Sequence, residues 1–304
     1  MISVCMCTYN GVKYVEEQLI SIVKQSVVPD EIIVFDDASS DDTIELIKRI
    51  SKEHTQINWV IKEQYQNKGW RVNFKDAINS ATGDIIFLAD QDDIWENEKI
   101  ERMSQILINN SEILLLASGY NSLLMEGCSV NLSDTPSTEQ ILKIDKKKSF
   151  MYPYRPGCTF AFKKTLVSEF NQIWYKEAAH DQMLWNIAFL HNGLFVYEWQ
   201  SIKFRRHSNN ASSYYDERYS KDRYEKRLND ANTNCQLLRN YSYFYKDRIG
   251  LLKDGLRWGE RRCKLLSKPT IMNVLMLIAS SAYYPSKKVM LLDMYLSIKY
   301  SKYK

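Results

Sequence analysis

Four residues in the first half of the chain, Asp90-Gln91-Asp92-Asp93, carry three carboxylates. Asp90 and Asp92 stand two apart, so in extended backbone both side chains project to the same side. Two hard oxygen anions converging there suit Mg²⁺ or Mn²⁺, which are held by a few carboxylates together with phosphate oxygens. Asp93 reads differently. With Glu96 three residues on, it forms an Asp-x-x-Glu cap for a helix bearing Ile100, Met103 and Leu107. A second acidic cluster, Asp36-Asp37-Ala38-Ser39-Ser40-Asp41, could accept a hydrogen bond from the imide N–H of a pyrimidine base or simply cap a helix. A third, Thr8-Tyr9-Asn10-Gly11, offers a hydroxyl, an aromatic face and a glycine for a tight turn.

These clusters need elements that bring them together. Val4–Cys7 is a short apolar run, and Val12, Val15, Leu19, Ile22 and Val23 after it fall on one helical stripe. Ile32-Ile33-Val34-Phe35 shows no polar alternation, as expected of a parallel strand buried on both faces. A helix carrying Ile44, Ile47 and Ile50 follows, and further strands begin near Ile57, Ile85 and Ile113. Starts 25, 28 and 28 residues apart are the cadence of repeated βαβ units, which predicts an α/β fold with a doubly wound, mostly parallel sheet. All three clusters then lie at carboxyl ends of strands, where open α/β sheets bind ligands. Residues 120–148, rich in turn formers such as Asn131, Ser133, Asp134 and Pro136, predict a long loop. Thr159–Phe162 predicts a strand, Ala178–Leu190 a helix, and Leu194–Tyr197 and Ile202–Arg205 two more strands. Beyond about Ser213 the chain reads as helical.

The 304 residues are 45% hydrophobic and 26% charged, which excludes a disordered or fibrous chain. A net charge of +4 is too mild for nucleic acid as a bulk electrostatic partner. The excess sits in residues 269–304, where Lys287, Lys288, Lys299, Lys302 and Lys304 face one acid, Asp293. Six cysteines (Cys5, Cys7, Cys128, Cys158, Cys235, Cys263) form no C-x-x-C pair and are too sparse for a disulfide framework. The chain opens Met1-Ile2-Ser3-Val4, without a basic region or an apolar core of a signal peptide. Both features predict a reduced, cytoplasmic compartment.

The ordered set Thr-Tyr-Asn-Gly at 8–11, Asp-Asp-Ala-Ser at 36–39, Asn-Lys-Gly at 67–69 and Asp-Gln-Asp-Asp-Ile-Trp at 90–95 resembles family 2 glycosyltransferases of the GT-A fold. The bacterial capsule and O-antigen branch, with its rhamnosyltransferase-like members, is the most similar. The resemblance runs from Ile2 to about Ser213. It implies a GT-A domain at 1–213, with a nucleotide-sugar half (1–119) and an acceptor half (120–213), followed by a helical region at 214–304. It implies an inverting, metal-dependent enzyme that moves a sugar from a UDP- or dTDP-sugar, dTDP-rhamnose among them, to a glycan or lipid-linked oligosaccharide acceptor.

Carried over residue by residue, the resemblance puts Thr8, Tyr9, Asn10, Asp37, Asp90 and Gln91 at nucleotide-sugar contacts and Asp90 with Asp92 on the D-x-D metal pair. Pro156-Gly157-Cys158-Thr159 looks like the acceptor loop. Ala179-His180-Asp181 matches the x-E-D position with His180 replacing the usual acid, which implies that Asp181 is the general base; as a bare residue, Asp181 could instead cap a helix. Arg205-Arg206-His207-Ser208-Asn209-Asn210 looks like the C-terminal histidine motif, in which His207 helps hold the metal. Arg205 and Arg206 could line a diphosphate or face solvent. The Q-x-x-R-W motif and the membrane helices of processive synthases are missing, which implies transfer of a single sugar.

Three rival readings fare worse. A sugar nucleotidylyltransferase needs a glycine-rich phosphate loop near the N-terminus, and a dinucleotide-dependent dehydrogenase needs G-x-G-x-x-G where Thr8-Tyr9-Asn10-Gly11 stands. A silent scaffold would have no use for the carboxylates at 36, 37, 90, 92 and 181.

Residues 269–286 carry no charge, but their apolar heart, Ile271–Tyr284, is short and flanked by Pro269 and Pro285. A spanning helix needs about 20 apolar residues. The segment predicts a membrane-surface contact through residues 269–304, at the inner face of the cell membrane, with core packing as the alternative.

Overall fold

The computed structural model describes residues 1–125, 133–207 and 219–300. Its first elements follow the predicted βαβ cadence: β1 (Ile2–Thr8), α1 (Val15–Val23), β2 (Glu31–Asp36), α2 (Thr43–Glu53), β3 (Asn58–Glu63), α3 (Trp70–Ser80) and β4 (Ile85–Ala89). The four strands pair in parallel in the order β3-β2-β1-β4. Every residue of β2 and β4 is buried, which explains why neither strand alternates in polarity. Each such aliphatic or aromatic side chain contributes about 1.5–3 kcal/mol on burial. Leu19 and Ile22 of α1 and Ile47 and Ile50 of α2 complete that core.

The chain continues through β5 (Ile94–Trp95), α4 (Lys99–Asn109), β6 (Leu115–Leu124), β7 (Ile141–Lys143), β8 (Phe160–Lys163), α5 (Thr165–Gln172), α6 (His180–Leu190) and β9 (Leu194–Arg206). The sheet extends as β4-β8-β6-β9-β5, with β7 also on β9. β8 enters antiparallel between β4 and β6, whereas β9 runs parallel to β6. One sheet therefore passes through both expected halves of the domain.

Three local expectations are corrected. Asp93 does not cap α4: it leads into β5, and α4 begins six residues later behind Glu98. A short strand intervenes because Ile94 and Trp95 pair antiparallel with Lys203 and Ile202 of β9. The two strands expected at 194–197 and 202–205 are one continuous β9, with register shifts against β6. The expected loop at 120–148 contains the end of β6 and all of β7; Asn131 and Cys128 lie outside the described residues.

The chain forms two compact units, one of residues 1–144, 155–172 and 179–213, the other of 145–154, 173–178 and 214–304. The expected boundary at Ser213 lies outside the described residues. The second unit is built from α7 (Lys221–Phe244), α8 (Ile249–Ser267), α9 (Ile271–Ile278) and α10 (Lys287–Tyr300). Among the described residues no helix is long and apolar enough to cross a membrane.

Asp293, the one acid of the basic tail, is fully buried in this unit. Its carboxylate accepts from Nε of Arg227, from Nε of Arg262 at 2.8 Å and from the Tyr284 hydroxyl at 2.7 Å. Burial alone would raise its pKa, but Arg262 and Arg227 outweigh burial and hold it below the ordinary carboxylate range. A depressed folded-state value means that the stabilisation is present above pH 4 and is lost as pH falls below it. Asp293→Asn should leave two buried guanidinium groups without their counter-ion and cost about 3–5 kcal/mol. Thermal melts at neutral pH check this, and the difference from wild type should shrink under acid conditions.

Candidate active site

A cavity of about 510 Å³ opens where β1, β2 and β4 end. Its lining includes Thr8, Tyr9, Asp37, Asp90, Gln91, Asp92, Gly157 and Asp181. Residues up to 199 positions apart in sequence line it, from Cys7 to Arg206, and Thr8, Asp37 and Asp90 meet there because parallel strands put their carboxyl ends on one edge.

The loop after β1 is held from two sides. Gln91 clasps Tyr9, its Oε1 accepting from the Tyr9 N–H at 2.9 Å and its Nε2 donating to the Tyr9 carbonyl at 3.1 Å. Gly11 packs against that amide so closely that a Cβ there would collide with Gln91 Oε1. Thr8 Oγ1 donates to Asp36 at 2.8 Å. Asn10, at φ 46°, turns its carboxamide oxygen to the Ser40 N–H at 2.8 Å; it shapes the loop and is not among the cavity-lining residues. Asp37 accepts from the backbone N–H groups of Lys68 and Gly69 at 2.7 and 2.8 Å. This fixes the start of α3, whose first residues Trp70, Asn73 and Phe74 line the cavity.

At the end of β4 the acids crowd. Burial first, and then the charge of Asp92, push Asp90 up to about 7. Asp93 is fully buried; one oxygen accepts the Arg205 N–H at 3.0 Å, and burial with its acidic neighbours raises its pKa strongly. The thiol of Cys158 and the carboxylates of Asp90 and Asp93 lie within 4.8 Å of one another. Cys158 is therefore packed behind the carboxylates, while its neighbour Gly157 faces the cavity. Lys99 is fully buried beside this cluster, donating to the Cys158 carbonyl at 2.7 Å and standing 3.9 Å from the Trp95 ring centre. Desolvation pulls its pKa down to about 7 against the pull of the acids.

The end of β9 closes the other side. His207 Nε2 lies 2.8 Å from Asp92 Oδ2, and its ring stacks on Tyr14 at 4.8 Å. Arg205 donates Nε to the Asp92 carbonyl at 2.7 Å, pairs with Glu17 and lies over Tyr14. It is buried, so the solvent-facing reading is excluded; Arg206 lines the cavity. Ser208, Asn209 and Asn210 of the same motif lie outside the described residues.

Asp181 sits in the first turn of α6, but Ala179 holds the N-cap position without a side-chain cap bond. Asp181 Oδ1 accepts from the next residue, the Gln182 N–H, at 2.8 Å. Gly157 stands against it: a Cβ at 157 would come within 2.9 Å of the Asp181 Cβ. Three lining residues escaped the sequence reading, namely Trp70, Asn73 and Phe74, and Asn67 entered it only as part of a motif. α3 has no long apolar stripe to announce it, and only the Asn-Lys-Gly at 67–69 marked the neighbourhood.

His180 is buried with its ring stacked on Phe74 at 4.0 Å and edge-on to Trp70 at 5.6 Å. Desolvation lowers its pKa to about 4, with Asp181 pulling the other way. The ring should therefore stay neutral down to about pH 5. In histidine ring NMR spectra, the signal lost in His180→Phe is expected to show no titration between pH 8 and 5.

The model of glycosyl transferase family 2 matches residues 3–203. The dTDP-rhamnosyl transferase RfbG of Shigella flexneri is 30% identical over 226 residues, covering 67% of this chain and 72% of its own. The UDP-Gal:alpha-D-GlcNAc-diphosphoundecaprenol beta-1,3-galactosyltransferase of Escherichia coli is 26% identical over 187 residues, 60% of this chain and 66% of its own. S. aureus TarS 1-349, solved with UDP-GlcNAc, superposes with a TM-score of 0.61 at 18% identity, covering 100% of this chain and 93% of that one. The arrangement of strands is thus the GT-A fold, and the chain belongs to glycosyltransferase family 2.

Proposed function

We propose that this enzyme transfers one sugar, with inversion, from a nucleoside-diphosphate sugar to a lipid-linked glycan acceptor in bacterial surface polysaccharide synthesis. The observation that carries this reading is the convergence of Asp37, Asp90, Asp92 and Asp181 on one cavity at the strand ends. The likeness to a dTDP-rhamnosyl transferase supports a dTDP- or UDP-linked donor, dTDP-rhamnose first among them. The likeness to a galactosyltransferase whose acceptor is a diphosphoundecaprenol glycan supports a lipid-linked acceptor.

Asp90 and Asp92, two carboxylates lining one cavity, with the imidazole of His207 beside Asp92, would hold Mg²⁺ or Mn²⁺, whose preference is for oxygen donors. A cation there would also relieve the repulsion that raises Asp90. When bound, the ion supplies neutralising charge for the departing diphosphate. The chain's own groups do the rest. Thr8, Tyr9 and Asp37 hold the nucleoside end, Arg206 faces the diphosphate, and Asp181 accepts the proton of the attacking acceptor hydroxyl. Direct attack of that hydroxyl on the anomeric carbon, with the nucleoside diphosphate leaving, is a single displacement and inverts that carbon.

Asp181→Asn separates base from scaffold. It keeps size and hydrogen bonding but cannot take a proton at neutral pH, so transfer should fall about 10²–10⁴-fold while calorimetric binding of donor and Mn²⁺ persists. Asp92→Asn should instead weaken Mn²⁺-dependent donor binding itself. Near-normal transfer by Asp181→Asn would remove it from the mechanism.

The second unit carries the membrane contact. In α9 only Leu277 is buried, while Ile271, Met272, Leu275 and Ile278 are exposed, Ile271 at 82%. Lys287 and Lys288 open α10 close by in sequence. Such a surface would bind anionic lipid at the inner membrane face, each lysine adding about 1 kcal/mol. Lys302 and Lys304 lie outside the described residues. Flotation with anionic liposomes at low salt should be lost in Ile271→Glu/Leu275→Glu; equal flotation refutes the contact.

A further inference from the structure

Asn73 is fully buried in α3, lines the cavity, and has no hydrogen-bond partner for either its carboxamide oxygen or nitrogen among the described residues. His180, also a lining residue and buried, has an unpartnered Nδ1. Buried polar side chains are nearly always paired, and each exception calls for a ligand, a water or a special role. Two such exceptions in one cavity, on α3 and α6, are joined by Phe74, whose ring stacks on His180.

We propose that Asn73 and His180, backed by Phe74 and Trp70, form the subsite that reads the hydroxyls of the donor's glycosyl group. The proposal rests on the sugar-transfer reading above and deepens it. Position supports it first. Asn73 lies one helical turn from Gly69, to whose carbonyl its N–H donates at 3.3 Å, and Gly69 is pinned by Asp37 at the nucleoside end. His180 is the chain neighbour of Asp181. A glycosyl group whose anomeric carbon is attacked by a hydroxyl bound to Asp181 must lie against the residues between those two anchors.

Chemistry supports it second. A carboxamide offers one acceptor and two donors, and a neutral imidazole offers one of each. Adjacent sugar hydroxyls, each donor and acceptor, match that set. Phe74 and Trp70 add apolar lining beside them, suited to the C–H side of a pyranose, so the wall mixes polar and apolar groups as a sugar does. Burial makes the recognition selective, since a donor lacking a matching hydroxyl leaves the amide unpaired.

The test measures calorimetric binding, with Mn²⁺ present, of dTDP-rhamnose, UDP-glucose, UDP-galactose and UDP-GlcNAc, and of dTDP and UDP. For the tightest sugar nucleotide, Asn73→Ala and Asn73→Leu should lower affinity about 10- to 100-fold, and His180→Phe should lower it while keeping the stack. Binding of the matching nucleoside diphosphate should stay within about 2-fold. Melting temperature without ligand should hold or rise in Asn73→Leu, because an unpartnered amide gives way to an apolar group. Wild-type affinity for the sugar nucleotide in both Asn73 variants overturns the subsite and leaves sugar transfer standing. A lowered melting temperature with equal loss for both ligands makes Asn73 structural and likewise overturns it. Failure of the wild-type protein to bind any of the six nucleotides overturns the sugar-transfer reading and the subsite together.

Discussion

Carboxylate crowding at the end of β4 is the constraint on which the surrounding architecture depends. Asp90, Asp92 and Asp93 fall within four residues, and like charges that close oppose one another's ionisation. Each is answered by a different residue. His207 meets Asp92, the Arg205 N–H meets Asp93, and Lys99 lies buried beside Asp93 and Asp90. Two of the three answers come from the end of β9, Arg205 within it and His207 just past it, so the strand must run unbroken to residue 206. The two-residue β5 keeps it there, pairing Ile94 and Trp95 across to Lys203 and Ile202. A helix cap at Asp93 would have removed that pairing.

The same economy governs the other loops. Residues that look like ligand contacts also build the cavity wall. Asp37 both lines the cavity and anchors α3 through Lys68 and Gly69. Gln91 both lines it and clasps Tyr9. Carboxylate and carboxamide oxygens have lone pairs to spare, so one side chain can organise backbone and still meet a ligand. Losing such a residue therefore removes a contact and loosens its loop at once.

How much of this could be read from sequence follows from what sequence records. Strands buried on both faces are continuous apolar runs, and β1, β2 and β4 were legible for that reason, as were the acids at their ends. β5 was not, because two residues carry no period, and its existence depends on a partner more than a hundred residues away. α3 was not, because its buried residues, Asn73, Phe74, Ala77 and Ile78, include a polar one that breaks the apolar stripe. Cys158 was legible only as part of a loop motif. Its burial behind Asp90 and Asp93 is a property of three-dimensional packing that no spacing reports.

His180 shows how a departure from a family pattern can be read physically. An acid at that position would add a charge to a cavity already holding Asp37, Asp90, Asp92 and Asp181. It would also do so in a place dry enough to depress a histidine to about 4, where an ionised carboxylate is costly. An imidazole in the same surroundings stays neutral, stacks on Phe74 and keeps one nitrogen for hydrogen bonding. The substitution exchanges charge for an aromatic face beside the proposed base, Asp181. That exchange adds no further charge beside Asp181, so the closest crowding of acids stays at the end of β4, where a cation would balance it. The wall beside Asp181 keeps a neutral ring with a nitrogen free for the proposed sugar contact.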